Sequence, residues 1–202
     1  MTERRGHIQR TTQETNVDIA INLDGQGSYS IDTPLGFLSH MLEQLAKHSC
    51  IDITLNASGD THIDGHHLTE DVAIALGQAV AQALGDKKGI YRYGWAMLPM
   101  DEACVQCALD LSGRTFFKWA IPLAKTKLGD FETELTEVFF EGFARGAACN
   151  LHAYRLAGDN LHHLIEITFK TFAHALRQAI SRDPRRHDIP STKGILNEAA
   201  TP

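Results

Sequence analysis

Apolar and polar positions follow two different periods along this chain. Four stretches carry apolar residues three and four positions apart, the spacing that lines one face of an α-helix. They are FLSHMLEQLAKHS (37–49), HHLTEDVAIALGQAVAQAL (66–84), FETELTEVFFEGFARGAA (131–148) and HHLIEITFKTFAHALRQAI (162–180). Other stretches alternate every second residue, as half-buried strands do. These are TNVDIAINLDG (15–25), IDITLNAS (51–58), EACVQCALDLSG (102–113), RTFFKWAIP (114–122) and NLHAYRLA (150–157). The Asp24-Gly25 step ahead of GSYSI predicts a hairpin turn, and Ser112-Gly113 predicts a second one in the same role.

The order of these patterns repeats. The stretch 66–84 aligns without gaps on 162–180, matching His66, His67, Leu68, Glu70, Ala79, Gln82 and Ala83 to identical residues. Each copy follows a Gly-Asp turn, Gly59-Asp60 or Gly158-Asp159, and before each turn lie a strand pattern and a helix pattern. Both halves therefore read strands, helix, strand, helix. A helix stop at Gly85-Asp86-Lys87-Lys88-Gly89 separates them. The predicted organisation is a first half over 1–87, a second over 88–182 and a Pro-containing tail over 183–202. The predicted class is α+β, a tandem repeat of two similar units, each a sheet with helices on one face.

Composition narrows the function. The chain has 202 residues, 43% of them hydrophobic, enough for a substantial core in one domain or two fused small ones. A net charge of −6 argues against general nucleic-acid binding, so any grip on phosphate must be local. No apolar leader segment opens MTERRGHIQRTTQETN, and the charge-free helical run Val72–Gly85 is shorter than the ~20 residues of a membrane span. Cys50, Cys104, Cys107 and Cys149 show no disulfide-framework spacing. Cys104 and Cys107 are three apart in a strand pattern and so face opposite sides, as inert thiols rather than a zinc or redox pair. A cytoplasmic protein without nucleic-acid or membrane partners is expected.

Histidine changes the picture, with 11 residues in the chain. The repeated motif HHxxE opens a helix twice. On a helix, His66 and Glu70 are i, i+4 neighbours and His67 and Glu70 are i, i+3. Adjacent imidazoles point about 100° apart, which suits two ions better than one. One such motif reads as histidines at a solvated helix start; two in matching context point to ligands. His40 in the first helix and His152 in the strand before the second motif lie on neighbouring elements. Each of these, taken singly, also reads as a satisfied, partly buried histidine. His40, His66, His67, His152, His162 and His163 with Glu70 and Glu166 divide into two sites of three His and one Glu. Such a set leaves two positions open on an octahedral ion and suits Mn, Fe, Co or Zn. His48 ends a helix, where a cation favours the dipole, while His174 reads as surface and His7, His62 and His187 as solvated. Turns supply phosphate candidates: Arg92 past Gly89, Arg114 at the second predicted hairpin bend, and Ser191, Thr192 and Lys193 before Gly194. Each basic residue also reads as a solvated charge, and PSTKG lacks the upstream glycine of a Walker loop.

These residues resemble a known family. IDGHHLTEDVA and GDNLHHLIEITFK look like the two signature motifs of imidazoleglycerol-phosphate dehydratase, an enzyme of histidine biosynthesis. RTTQETNV, FLSHMLEQLAKH, KGIYRYG, LDLSGR, DPRR and IPSTKG resemble that family in the same order, over about residues 3–197. Ile167 departs from the small residue usual in the second motif, which touches helix packing more than ligation. The resemblance implies a repeat like domain 2 of ribosomal protein S5, a homo-oligomer of 24 subunits, and two Mn2+ per active site at subunit interfaces. It implies one ion on His66, His162, His152 and Glu70, and the other on His67, His163, His40 and Glu166. It further implies Arg92, Arg114, Ser191, Thr192 and Lys193 on the substrate phosphate. His40, His48 and Lys170 would also contact substrate, Glu70 and Glu166 would be catalytic through the metals, and Glu14 would be the mobile acid/base. The implied reaction is dehydration of D-erythro-imidazoleglycerol phosphate to imidazole acetol phosphate: the ring, held as imidazolate, pushes electrons to expel the C3 hydroxyl, and the enol tautomerises. A di-iron carboxylate bundle fits less well, because strand patterns interrupt the helices and the His-to-Glu order is reversed. A non-enzymatic metal-binding shell protein would need the histidines but not Arg92, Arg114 and Lys193.

Overall fold

The computed structural model describes residues 3–196. In the first half, β1 (Arg5–Thr11), β2 (Thr15–Asn22) and β3 (Tyr29–Asp32) precede α1 (Gly36–Ser49), β4 (Asp52–Gly59) and α2 (His66–Leu84). In the second, β5 (Tyr93–Met100), β6 (Ala103–Asp110) and β7 (Phe116–Ala120) precede two short strands, β8 (Lys127–Leu128) and β9 (Phe131–Glu132). There follow α3 (Leu135–Ala147), β10 (Asn150–Ala157) and α4 (Leu161–Ile180). The sheets have orders β1-β2-β4-β3 and β5-β6-β10-β7, so one topology occurs twice in an α+β fold.

Both expected hairpins at Asp24-Gly25 and Ser112-Gly113 are absent. β2 is already paired on both sides, with β1 (Ile8↔Ile19) and β4 (Ile19↔Leu55), both antiparallel. β3 lies beyond β4 and parallel to it, Ser30 opposite Thr54. β7 likewise runs parallel to β10, Phe117 opposite Leu151. A strand thus separates β2 from β3 and β6 from β7, so both turns carry the chain past the intervening β4 or β10, and Arg114 stands on a crossover rather than a hairpin bend. The actual hairpins are β1–β2, β5–β6 and the short β8–β9. The third helix also starts later than its apolar pattern, at Leu135, because Phe131-Glu132 pairs with Lys127-Leu128.

The helices lie between the two sheets. α2 covers β1 and β2 while packing on α3; α4 covers β5 and β6 while packing on α1. One apolar cluster therefore runs through both halves, from Val17 in the first sheet to Ile180 at the end of α4. Its centre is aromatic, with Phe140 4.8 Å from Phe169 and 5.2 Å from Phe172. Each such fully buried ring contributes roughly 1.5–3 kcal/mol.

Strand-to-helix contact is closest at two equivalent glycines. A Cβ on Gly6 of β1 would stand 2.1 Å from the Ala79 carbonyl oxygen of α2, and one on Gly94 of β5 would stand 1.8 Å from that of Ala175 on α4. Beside them the Gln82 side chain accepts from the His7 N–H at 2.6 Å and Gln178 accepts from the Trp95 N–H at 2.9 Å. These glutamines satisfy backbone donors on edge strands that have no sheet partner there. The repeated Ala and Gln of the sequence alignment are thus packing and capping residues.

Candidate metal and substrate site

Both HHxxE motifs occupy a first helical turn. At α4 the Asn160 side chain caps the helix, accepting from the backbone N–H groups of His162 (3.0 Å) and His163 (3.2 Å). At α2 Asp64 accepts from the His66 N–H at 2.8 Å. The paired rings diverge alike in both copies: His66 and His67 are 6.2 Å apart with planes at 85°, His162 and His163 6.3 Å apart at 87°.

Two clusters of metal-competent groups form among the described residues. In the first, His40, His162 and Glu166 bring ligand atoms within 4.8 Å of one another. Glu166 Oε2 is 3.1 Å from His162 Nε2 and 3.7 Å from His40 Nε2, while Oε1 takes a 2.6 Å contact from Lys170 Nζ. Burial raises the Glu166 pKa, but the Lys170 ammonium and His162 outweigh it and hold the carboxyl below its usual range. An open cavity of ≈ 420 Å³ runs past His40 and His162, with Phe37 against the His162 ring at 5.4 Å. Two imidazole nitrogens beside the cavity, with one carboxylate oxygen converging on them, fit a divalent transition-metal ion such as manganese.

The second cluster is Glu14, Asp60 and His67. His67 Nδ1 is 3.0 Å from Asp60 and 3.7 Å from Glu14. Asp60's hydrogen bond, helped by the Glu14 and Asp60 charges, raises the His67 pKa against the opposing effect of burial. The turn bearing Glu14 is tied down: Thr12 Oγ1 accepts from the Glu14 N–H, and Thr15 Oγ1 donates to Asp71, which also holds Arg10 at 2.8 Å. The Glu14 carboxylate projects from this fixed turn, about half exposed.

The remaining candidates lie apart from these clusters. Glu70 is held by Arg145 at 2.7 Å. His66 is exposed, in ring contact with His67. His152 sits on the outer face of the second sheet, its Nδ1 3.1 Å from the Tyr154 hydroxyl and its ring beside Phe116. His163 Nδ1 is 2.8 Å from Glu102. The neighbour of His40 and Glu166 within the chain is thus His162, which the resemblance assigns to the other ion, and His163 turns elsewhere. His48 packs on His174 at 5.7 Å, and burial followed by the charge of Lys170 lowers its pKa.

Of the phosphate candidates, Arg92 is engaged most fully. It holds Asp110 at 2.7 and 3.1 Å, donates to the Pro190 carbonyl at 2.8 Å and lies over the Tyr93 ring. It thereby anchors the tail at the Pro190–Gly194 turn, where Ser191 Oγ accepts from the Lys193 N–H. Thr192 and Lys193 are exposed there, and so is Arg114 on its crossover, with its carbonyl accepting from Asn150. Asp60, Glu102, Arg10, Asp71 and Arg145 escaped sequence reasoning. The Gly59-Asp60 turn before the motif was a usable signal for Asp60; nothing local pointed to Glu102, 61 residues from its histidine.

Comparisons with known proteins agree with one another. Residues 33–176 match the family model described as imidazoleglycerol-phosphate dehydratase. A protein of that name from Ruegeria pomeroyi is 55% identical over 96% of this chain and 100% of its own length. One from Granulibacter bethesdensis is 53% identical over 96% and 99%. Among solved structures, the Staphylococcus aureus enzyme superposes with a TM-score of 0.80 at 37% identity, covering 89% of this chain and 99% of its own. The Pyrococcus furiosus one gives 0.81 at 34%, covering 94% and 100%.

Proposed function

Because the chain belongs to the imidazoleglycerol-phosphate dehydratase family, a family of hydro-lyases, we propose that it dehydrates D-erythro-imidazoleglycerol phosphate to imidazole acetol phosphate in L-histidine biosynthesis. The observation that carries this reading is the convergence of Glu166 on His40 and His162, the two histidines that line an open cavity. His40, His162 and Glu166 would hold one manganese ion, and His66, His67, His152, His163 and Glu70 supply the remaining donors. Manganese bound there would template the substrate and stabilise developing negative charge.

The chain's own groups do the rest. Lys170 takes one oxygen of Glu166 and leaves the other directed at the histidines. Glu14 moves the protons at the glycerol carbons, taking one from carbon and returning one during tautomerisation, from a turn fixed by Thr12, Thr15 and Asp71. Arg114, Ser191, Thr192 and Lys193 bind the phosphate, while Arg92 sets the turn that presents the last three.

Assembly completes the reading. Glu70, His152 and His163 do not meet the first cluster within one chain, so a second copy of the chain supplies them. The outer face of the second sheet around His152 suits that role, since Trp95, Met97 and Phe116 stand more than half exposed there. The purified protein should form imidazole acetol phosphate with manganese and lose the activity with EDTA. Glu14→Gln should keep metal and substrate binding yet turn over at least about a hundredfold more slowly. Activity untouched by exhaustive metal removal would overturn the reading.

A further inference from the structure

The second histidine of each HHxxE motif carries a carboxylate on the same ring nitrogen. His67 Nδ1 is 3.0 Å from Asp60, and His163 Nδ1 is 2.8 Å from Glu102. Duplication does not explain the match. Asp60 directly follows β4, and its counterpart in the second half is Asp159, whereas Glu102 lies in the β5–β6 turn. Glu102 is itself fixed, accepting from the backbone N–H of Asn160, the residue that caps α4. Two unrelated segments thus put an acceptor at the same atom of equivalent residues.

We infer that Asp60 and Glu102 are positioning residues that hold His67 and His163 in the tautomer with the proton on Nδ1. This leaves the Nε2 lone pair of each ring for a metal. A hydrogen-bonded carboxylate on the far nitrogen fixes ring orientation and makes the imidazole a stronger donor. Asp101, largely exposed and 3.7 Å from His163 Nε2, is beyond hydrogen-bond distance and does not occupy that lone pair. The inference rests on the metal-dependent reading above.

Manganese titration of the purified protein, followed by the electron paramagnetic resonance signal of free Mn2+, tests both separately. Wild type that binds no manganese overturns the metal-dependent reading itself. With wild type binding, Asp60→Ala and Glu102→Ala should each weaken manganese binding about 10–100-fold. Glu102→Gln, which still offers an oxygen to Nδ1–H, should recover most of that loss. Metal-free Glu102→Ala should remain folded at the titration temperature, judged by circular dichroism, so that weakened binding does not report unfolding. Unchanged affinity in the alanine variants overturns the inference. So does a Glu102→Gln as weak as Glu102→Ala, which would mean bare charge, or loss of a whole manganese equivalent in Asp60→Ala, which would make Asp60 a ligand.

Discussion

Replacing Gly94 by alanine adds one methyl group where strand and helix backbones meet. The new Cβ would stand 1.8 Å from the Ala175 carbonyl oxygen and 2.9 Å from the Ala179 nitrogen, against a practical limit of 3.0 Å. β5 must therefore move at least 1.2 Å off α4. Overpacking costs about 1–3 kcal/mol where side chains can give way. Backbone on both sides places this change at the upper end, about 3 kcal/mol. For a chain of this size each kcal/mol lowers the melting temperature by about 2–4 °C, so a fall of about 6–12 °C is expected. Gly129→Ala is the control: its φ is +64°, yet a Cβ there would meet nothing within 4 Å. Left-handed backbone alone costs about 1–2 kcal/mol. Calorimetry in EDTA at one protein concentration, so that metal and assembly add no mass action, should rank Gly94→Ala below Gly129→Ala. The reverse order would refute close approach as the reason for glycine at Gly94. Because Ala175 is 13 residues beyond His162, roughly 20 Å along the axis, stability should suffer before ligation does.

Three further outcomes follow. Gln178→Ala should lower stability by about 0.5–1.5 kcal/mol and speed hydrogen exchange at the Trp95 N–H it caps, measured by NMR or mass spectrometry. Arg4 holds the Asp24 carboxyl below its ordinary range, so this contribution is complete above the unfolded pKa and is lost as pH falls through the lowered folded one. Urea midpoints against pH should show that acid-side loss in wild type and less of it in Asp24→Asn. Burial pushes the Cys107 and Cys149 thiols up to about 12, so at mildly alkaline pH a maleimide should label the half-buried Cys50 and Cys104 and spare those two until denaturation.

The helices and the repeat were legible because α1 and α3 each bury a face with helical period, and α2 and α4 carry apolar runs too long for strands, buried nearly all round. The strand partners were not. Asp24-Gly25 marks where the chain turns, but not that β3 returns on the far side of β4. β1 was invisible because RGHIQRT points only Gly6 and the half-buried Ile8 at the core. At the site, HHxxE named itself twice, and so did its ambiguity. Ala79 and Gln82 match their repeats for packing and capping, not chemistry. Asp60 and Glu102 reach their histidines through tertiary contacts that no local pattern encodes. Arg92 reads equally as a phosphate fork until Asp110 and Pro190 are seen to occupy it.

The buried helix layer also governs how the chain can reach this state during synthesis. α2 meets its own sheet on one side and α3 on the other, with Gly77 of α2 against the Phe143 carbonyl and Gly146 of α3 against that of Ile74. When only the first half has left the ribosome, α2 has its sheet but not α3, and Ala73, Ile74 and Gly77 lack the surface that covers them. At about 5–20 residues per second, the remaining stretch to Ile180 takes several seconds, longer than hydrophobic collapse needs. The first half waits through that interval with a sticky helical face. This favours helper chaperones and swapping of second halves between neighbouring nascent chains, and it makes slow translation across β5 to α3 a hazard rather than a help.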